Sequence, residues 1–93
     1  MNNRLHQTEN NNIVDLERIV SVSHVYQEDT RSSIQNRYVY DIYTLNSVIK
    51  IGYIFNTSIR VSEANKIEED LKKSRQEFIE IWSNYITSLK NIK

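Results

Sequence analysis

Apolar positions in the last third of the chain recur at threes and fours: Ala64, Ile67, Leu71, Phe78, Ile81 or Trp82, Tyr85 and Leu89, with Ser74 and Arg75 as a polar gap. That spacing draws one stripe along an α-helix and predicts a single helix from Ser62 to about Lys90. Ser62 suits the N-cap, because its hydroxyl can accept from the free N–H groups of the first turn. Glu63, Glu68, Glu69 and Asp70 near the start and Lys90 and Lys93 near the end complement the helix dipole. Glu68–Lys72 and Glu69–Lys73 are i,i+4 pairs in the favourable order.

Upstream the period changes to two. Val14, Leu16, Val20, Val22 and Tyr26 share one parity, which predicts a half-buried strand densest from Arg18 to Gln27. Ile13 to Glu17 has a short helical turn as its alternative reading. A polar loop follows over 28–36, then a second strand over Arg37–Leu45 and a third over Val48–Asn56. Asn46-Ser47 between them suits a two-residue hairpin, since Asn tolerates positive φ. That turn would place Ile42 opposite Ile51, Asp41 opposite Gly52 and Tyr40 opposite Tyr53.

One sheet face then carries Tyr38, Tyr40, Ile42, Ile49, Ile51, Tyr53 and Phe55, to be covered by Ile67, Leu71 and Phe78 of the helix. The opposite face mixes Val39, Tyr43, Leu45, Val48 and Ile54 with Asp41, Lys50 and Gly52, and is more apolar than a solvated antiparallel face should be. The expected fold is α+β: a three-stranded antiparallel meander followed by one long C-terminal helix packed on one face. A single domain would span residues 13–93, behind a polar, disordered tail over residues 1–12.

Lengths expose a mismatch. A helix near thirty residues spans roughly 40–45 Å, whereas strands of eight to ten residues span about 27–34 Å. The last turns should therefore project past the sheet with Trp82, Tyr85, Ile86, Leu89 and Ile92 among their residues. Burying one large apolar side chain is worth about 1.5–3 kcal/mol, so a second copy or another protein is the simplest cover. Trp82, Tyr85, Ile86 and Leu89 are the expected self-association anchors. Val39, Tyr43, Lys50 and Ile54 on the outer sheet face form the second candidate surface.

Charge sharpens this reading by removing a competitor. Twelve basic residues balance twelve acidic ones, five against six up to Thr57 and seven against six beyond it. Neither part is a basic patch, which argues against charge-driven binding to nucleic acid or membrane. The chain holds no cysteine, so disulfide and thiolate chemistry are excluded. MNNRLHQTENNN has no apolar core of a signal peptide, and no run approaches a membrane span. A cytoplasmic location is the expectation, and the Asn- and Ile-rich usage points to a bacterial or phage source.

Candidate chemistry is sparse. His24 with Ser21, Ser23, Glu28 and Asp41 supplies the residue types of a nucleophile–base–acid set, but without a strained nucleophile turn or a Gly-rich oxyanion loop. His24 with Glu28 and Asp29 shows no metal-ligand spacing. Phosphate-binding loops need glycines, and Gly52 is the only one in the chain; inside a strand it marks a bulge or a close backbone approach. The expectation is a non-enzymatic protein–protein interaction module without cofactor or metal, partnered by itself as a homodimer or by another protein. A small regulator or inhibitor of a host protein is one concrete version. The competing expectation is a nucleic-acid-binding module using the outer sheet face, with Lys50 and Tyr43 as its contacts.

Overall fold

A computed structural model of the chain describes residues 4–8, 12–28, 31 and 33–90. Among the described residues six short to medium strands precede one helix: β1 (Leu5–Gln7), β2 (Ile13–Asp15), a 3-10 turn over Leu16–Arg18, β3 (Ile19–Val22), β4 (Tyr26–Glu28), β5 (Gln35–Thr44), β6 (Val48–Asn56) and α1 (Val61–Lys90). The class is α+β with antiparallel pairing and a single C-terminal helix, as the periodicities predict.

The sheet is not a three-stranded meander. β3 and β4 both pair with one edge of β5 and β6 pairs with the other, giving four strands, while β1 and β2 form a separate hairpin. The predicted first strand breaks at Ser23–Val25. Its register against β5 also shifts between Ile19 and Ser21. Such an irregularity exchanges the two faces of a strand. Ile19 and Val22 therefore pack on the core while Val20 is exposed, which strict alternation could not foresee. Polar groups repair the break. Ser23 N donates to the Asp41 carbonyl at 2.8 Å, Asp41 N donates to Ser23 Oγ at 2.8 Å, and Arg75 of α1 donates to the Ser23 carbonyl at 2.6 Å.

The β5–β6 hairpin forms with its turn one residue earlier than predicted. Tyr43 faces Val48, Ile42 faces Ile49 and Tyr40 faces Ile51, so Leu45 and Asn46 sit at the corner. Thr44 draws the turn there: its N–H donates to the Ser47 carbonyl at 2.9 Å, and its Oγ1 accepts from Ser47 N at 3.0 Å. Among the described non-glycine residues only Arg31 has positive φ, so Asn46 does not adopt the left-handed form that suggested the turn. Partners move by two residues, an even number, and every side chain keeps its predicted face.

α1 also starts one residue earlier. The carbonyl of Arg60 accepts from Glu63 N and Ala64 N at 3.0 and 3.1 Å, which places Ser62 inside the first turn rather than at the cap. Leu71, Phe78 and Tyr85 are the buried helix residues, seven apart, and they meet Tyr40, Ile42 and Ile51 from the sheet. Val14 and Leu16 complete this core from the other side. The N-terminal stretch expected to be a tail therefore contains a strand of the fold: Leu5–Gln7 pairs with Ile13–Asp15, and Thr8 behind it is buried. Polar sequence hid it, because the hairpin is fastened by charge. Arg4 Nε and Nη2 hold both oxygens of Asp15 at 2.8 and 2.7 Å. Residues 1–3 and 9–11 of that stretch lie outside the described residues.

Candidate functional site

The distal end of α1 is the first surface to examine. At about 1.5 Å per residue, its thirty residues cover about 45 Å and account for most of the 54 Å long axis of the molecule. Part of this distal end has an internal cover. Tyr85 is buried against the core that Val14 and Leu16 complete. His6 of β1 lies over Phe78 with ring centroids 5.6 Å apart. Of the four predicted anchors, Tyr85 thus belongs to the fold, Trp82 and Ile86 are half-buried, and Leu89 is 46% exposed. Ile92 lies outside the described residues.

New neighbours appear at the same end. Leu5, His6, Gln7, Leu16, Ile81, Asn84 and Tyr85 line an open groove of about 510 Å³ between the hairpin and the helix. Leu5 and Ile81 leave apolar surface exposed at its rim. Ile81, Tyr85 and Leu89 succeed one another at i,i+4 and form one row along α1. Sequence reasoning missed Leu5 because a lone leucine between arginine and histidine carries no periodicity.

The outer sheet face is more organised than its mixed composition suggests. Val39, expected on an exposed surface, has no accessible area. Its neighbour across the ladder is Gly52. A Cβ there would stand 2.3 Å from the Tyr38 carbonyl oxygen and 2.4 Å from Val39 Cγ1, so the glycine serves a close approach of the two strands. Around this point the polar side chains pair with one another. Glu28 of β4 accepts from both Arg37 of β5 and Lys50 of β6. Those two cations hold its carboxyl below the usual carboxylate range, Lys50 contributing most.

Asp41, only 5% exposed, accepts from the Tyr26 hydroxyl at 2.7 Å, with the Tyr43 hydroxyl at 3.4 Å. That hydrogen bond pushes the Tyr26 phenol up to about 12, burial adding to it. Asp41 Oδ1 and Arg37 Nε are buried without a hydrogen-bond partner among the described residues. Of the second predicted surface, Tyr43 and Ile54 are exposed, Lys50 is open to solvent but paired, and Val39 is internal.

The residues weighed for catalysis are not assembled by the fold into a relay. Ser23 Oγ donates to the His24 carbonyl at 2.9 Å rather than to an imidazole nitrogen, and His24 is exposed. Asp41 turns to tyrosines. Among the described residues no three His, Asp or Glu side chains gather as a ligand set; Asp29 lies outside them. No described helix is long and apolar enough to cross a membrane. Comparison with protein-family profiles, with curated proteins and with solved structures finds no match to this chain.

Proposed function

We propose that this chain is a small non-enzymatic protein–protein interaction module that self-associates through the distal end of α1. The observation that carries the reading is the apolar row left there: Ile81 and Leu89 exposed on either side of buried Tyr85, with Leu5 across the groove. Half-buried Trp82 and Ile86 flank that row and would supply the large side chains that dominate contact energetics. Tyr85 drops out as an anchor, because the fold already uses it, and acts instead as the floor on which the row stands.

Nucleic-acid binding by the outer face finds less support. Its two cations, Lys50 and Arg37, are both engaged by Glu28 and would have to leave that carboxylate to reach a phosphate. The test is absolute mass by light scattering over a concentration series. The wild-type chain is expected to exceed the monomer mass as concentration rises, and Leu89→Glu to lower that mass while keeping the thermal midpoint of the dilute, monomeric chain. A wild-type chain that stays monomeric throughout removes self-association from the reading.

A further inference from the structure

β6 is an edge strand. It pairs with β5 on one side, and among the described residues no strand pairs with the other. Backbone bonds from Thr44 N to Ser47 O and from Thr57 N to Ile34 O bracket the β5–β6 ladder. Antiparallel pairing alternates hydrogen-bonded and open pairs. The odd-numbered residues of β6 therefore bond to β5. Val48, Lys50, Gly52 and Ile54 turn their amides and carbonyls to the free edge, and Asn56 its amide, while the Asn56 carbonyl accepts from Ile59 N at 3.2 Å in the turn that follows.

Soluble proteins blunt such edges with short strands, prolines, bulges or outward lysines. β6 uses almost none of these devices. It runs nine residues without proline, and its register against β5 is unbroken from Val48 to Asn56. Its single charge, Lys50, is drawn onto Glu28 of β4, which lies across β5 from the free edge. The one gatekeeper of the edge thus points away from it. Two apolar residues on the same face stay wet: Val48 is 51% exposed and Ile54 61%.

We infer that the free edge of β6 pairs antiparallel with β6 of a second copy, about a two-fold axis through Gly52, to make one continuous eight-stranded sheet. The edge is complementary to itself in that register. Gly52 meets Gly52 with no side chain between the backbones. Lys50 stands opposite Ile54 of the second copy, and Val48 opposite Asn56, so no like charges face each other. The Gly52–Gly52 and Lys50–Ile54 pairs fall on outward-turned residues and exchange two hydrogen bonds each, and the Asn56 amide adds one to Val48 at each end. Val48 and Ile54 become diagonal neighbours across the axis, within reach of one another.

This contact is separate from the distal helix end. Two self-complementary contacts on one chain build assemblies beyond the dimer, and that separates the two in experiment. Amide exchange read by NMR tests the edge directly. Lys50, Gly52 and Ile54 amides are expected to exchange slowly in concentrated solution and faster on dilution, while Ile49, Ile51 and Tyr53 stay protected throughout. Outward amides that exchange at one rate at every concentration overturn the proposal.

Charge substitutions at the exposed Ile54 test the register. Ile54→Lys sets like charges opposite one another twice and is expected to weaken association about tenfold, whereas Ile54→Glu faces Lys50 of the second copy and strengthens it. A common sign for both variants overturns the register. If Leu89→Glu alone abolishes every assembly, the β6 contact fails and the helix-end reading stands. If Leu89→Glu leaves a dimer that Ile54→Lys dissociates, the β6 contact stands, and the helix end is a second contact only where the wild-type mass exceeds that of this dimer.

Discussion

The two faces of the sheet are built from the same strands and held by opposite means. On the inner face Tyr40, Ile42 and Ile51 meet Leu71, Phe78 and Tyr85 of α1, and stability there follows from area removed from water. On the outer face a glycine lets two strands close up, and Glu28, Arg37, Lys50, Asp41 and Tyr26 bind one another above it. The inner face has no direction in its energetics, so many apolar sequences could fill it. The outer face depends on particular donors meeting particular acceptors, and it leaves Asp41 Oδ1 without a partner among the described residues. Conservative exchange is therefore expected to cost less on the inner face than on the outer.

That contrast can be broken by substitution, beginning where the effect is greatest. Phe78→Ala removes a buried ring from beneath His6 and is expected to cost about 3–5 kcal/mol in urea unfolding. Phe78→Leu should cost clearly less, because shape matters there more than chemistry. Gly52→Ala puts a Cβ against the backbone of β5, and the forced shift is expected to cost about 1–3 kcal/mol. An outer face that accepted alanine freely would show that the close approach is not demanded.

Tyr26→Phe deletes one oxygen and leaves a buried carboxylate short of a donor, with an expected cost of about 1–3 kcal/mol at pH 7. Its pH dependence identifies the cause. The phenol is raised in the folded state, so its contribution is complete below its ordinary value near pH 10 and is lost as pH rises through about 12. The variant should lack that alkaline step in denaturation midpoints.

The smallest expected effect is at Glu28. Its carboxyl is lowered in the folded state, so its contribution is present above the ordinary carboxylate range and disappears as pH falls through the lowered value. Glu28→Gln should flatten the acid limb of the stability curve, and added salt should shrink the difference, since exposed pairs are screened. An acid limb unchanged in the variant would assign it to the other shifted carboxylate, Asp15, which Arg4 holds down in the β1–β2 hairpin.

Much of the inner face was legible because burial by apolar stripes has a period. Leu71 and Phe78 on the helix, and Tyr40, Ile42 and Ile51 on the strands, announce themselves at 3.6 and 2 residues. The length mismatch between helix and strands was legible too, and with it the suspicion that Trp82, Ile86 and Leu89 need a cover. Three features were not. Tyr85 looked available for a partner because nothing in LHQ or IVD signals a hairpin; two three-residue strands are marginal alone and exist here by packing on α1. Val39 looked exposed because its parity is right for the outer face; it is closed in between Tyr26 of β4 on one side and the close approach of β6 at Gly52 on the other. The first strand looked continuous because a bulge leaves no mark on composition.

Periodicity by itself determined the class of this protein, its helix, its β5–β6 hairpin and the faces of those two strands. Each of these follows from local geometry acting on neighbours a few residues apart. Tertiary structure alone decided which residues left over by that pattern are internal and which are surface. Whether Tyr85 serves the core or a partner depends on a hairpin some seventy residues earlier. Whether Lys50 guards the edge of β6 depends on Glu28, two strands away. Contacts so distant in sequence have no period to betray them, because what brings the partners together is the packing of the finished fold.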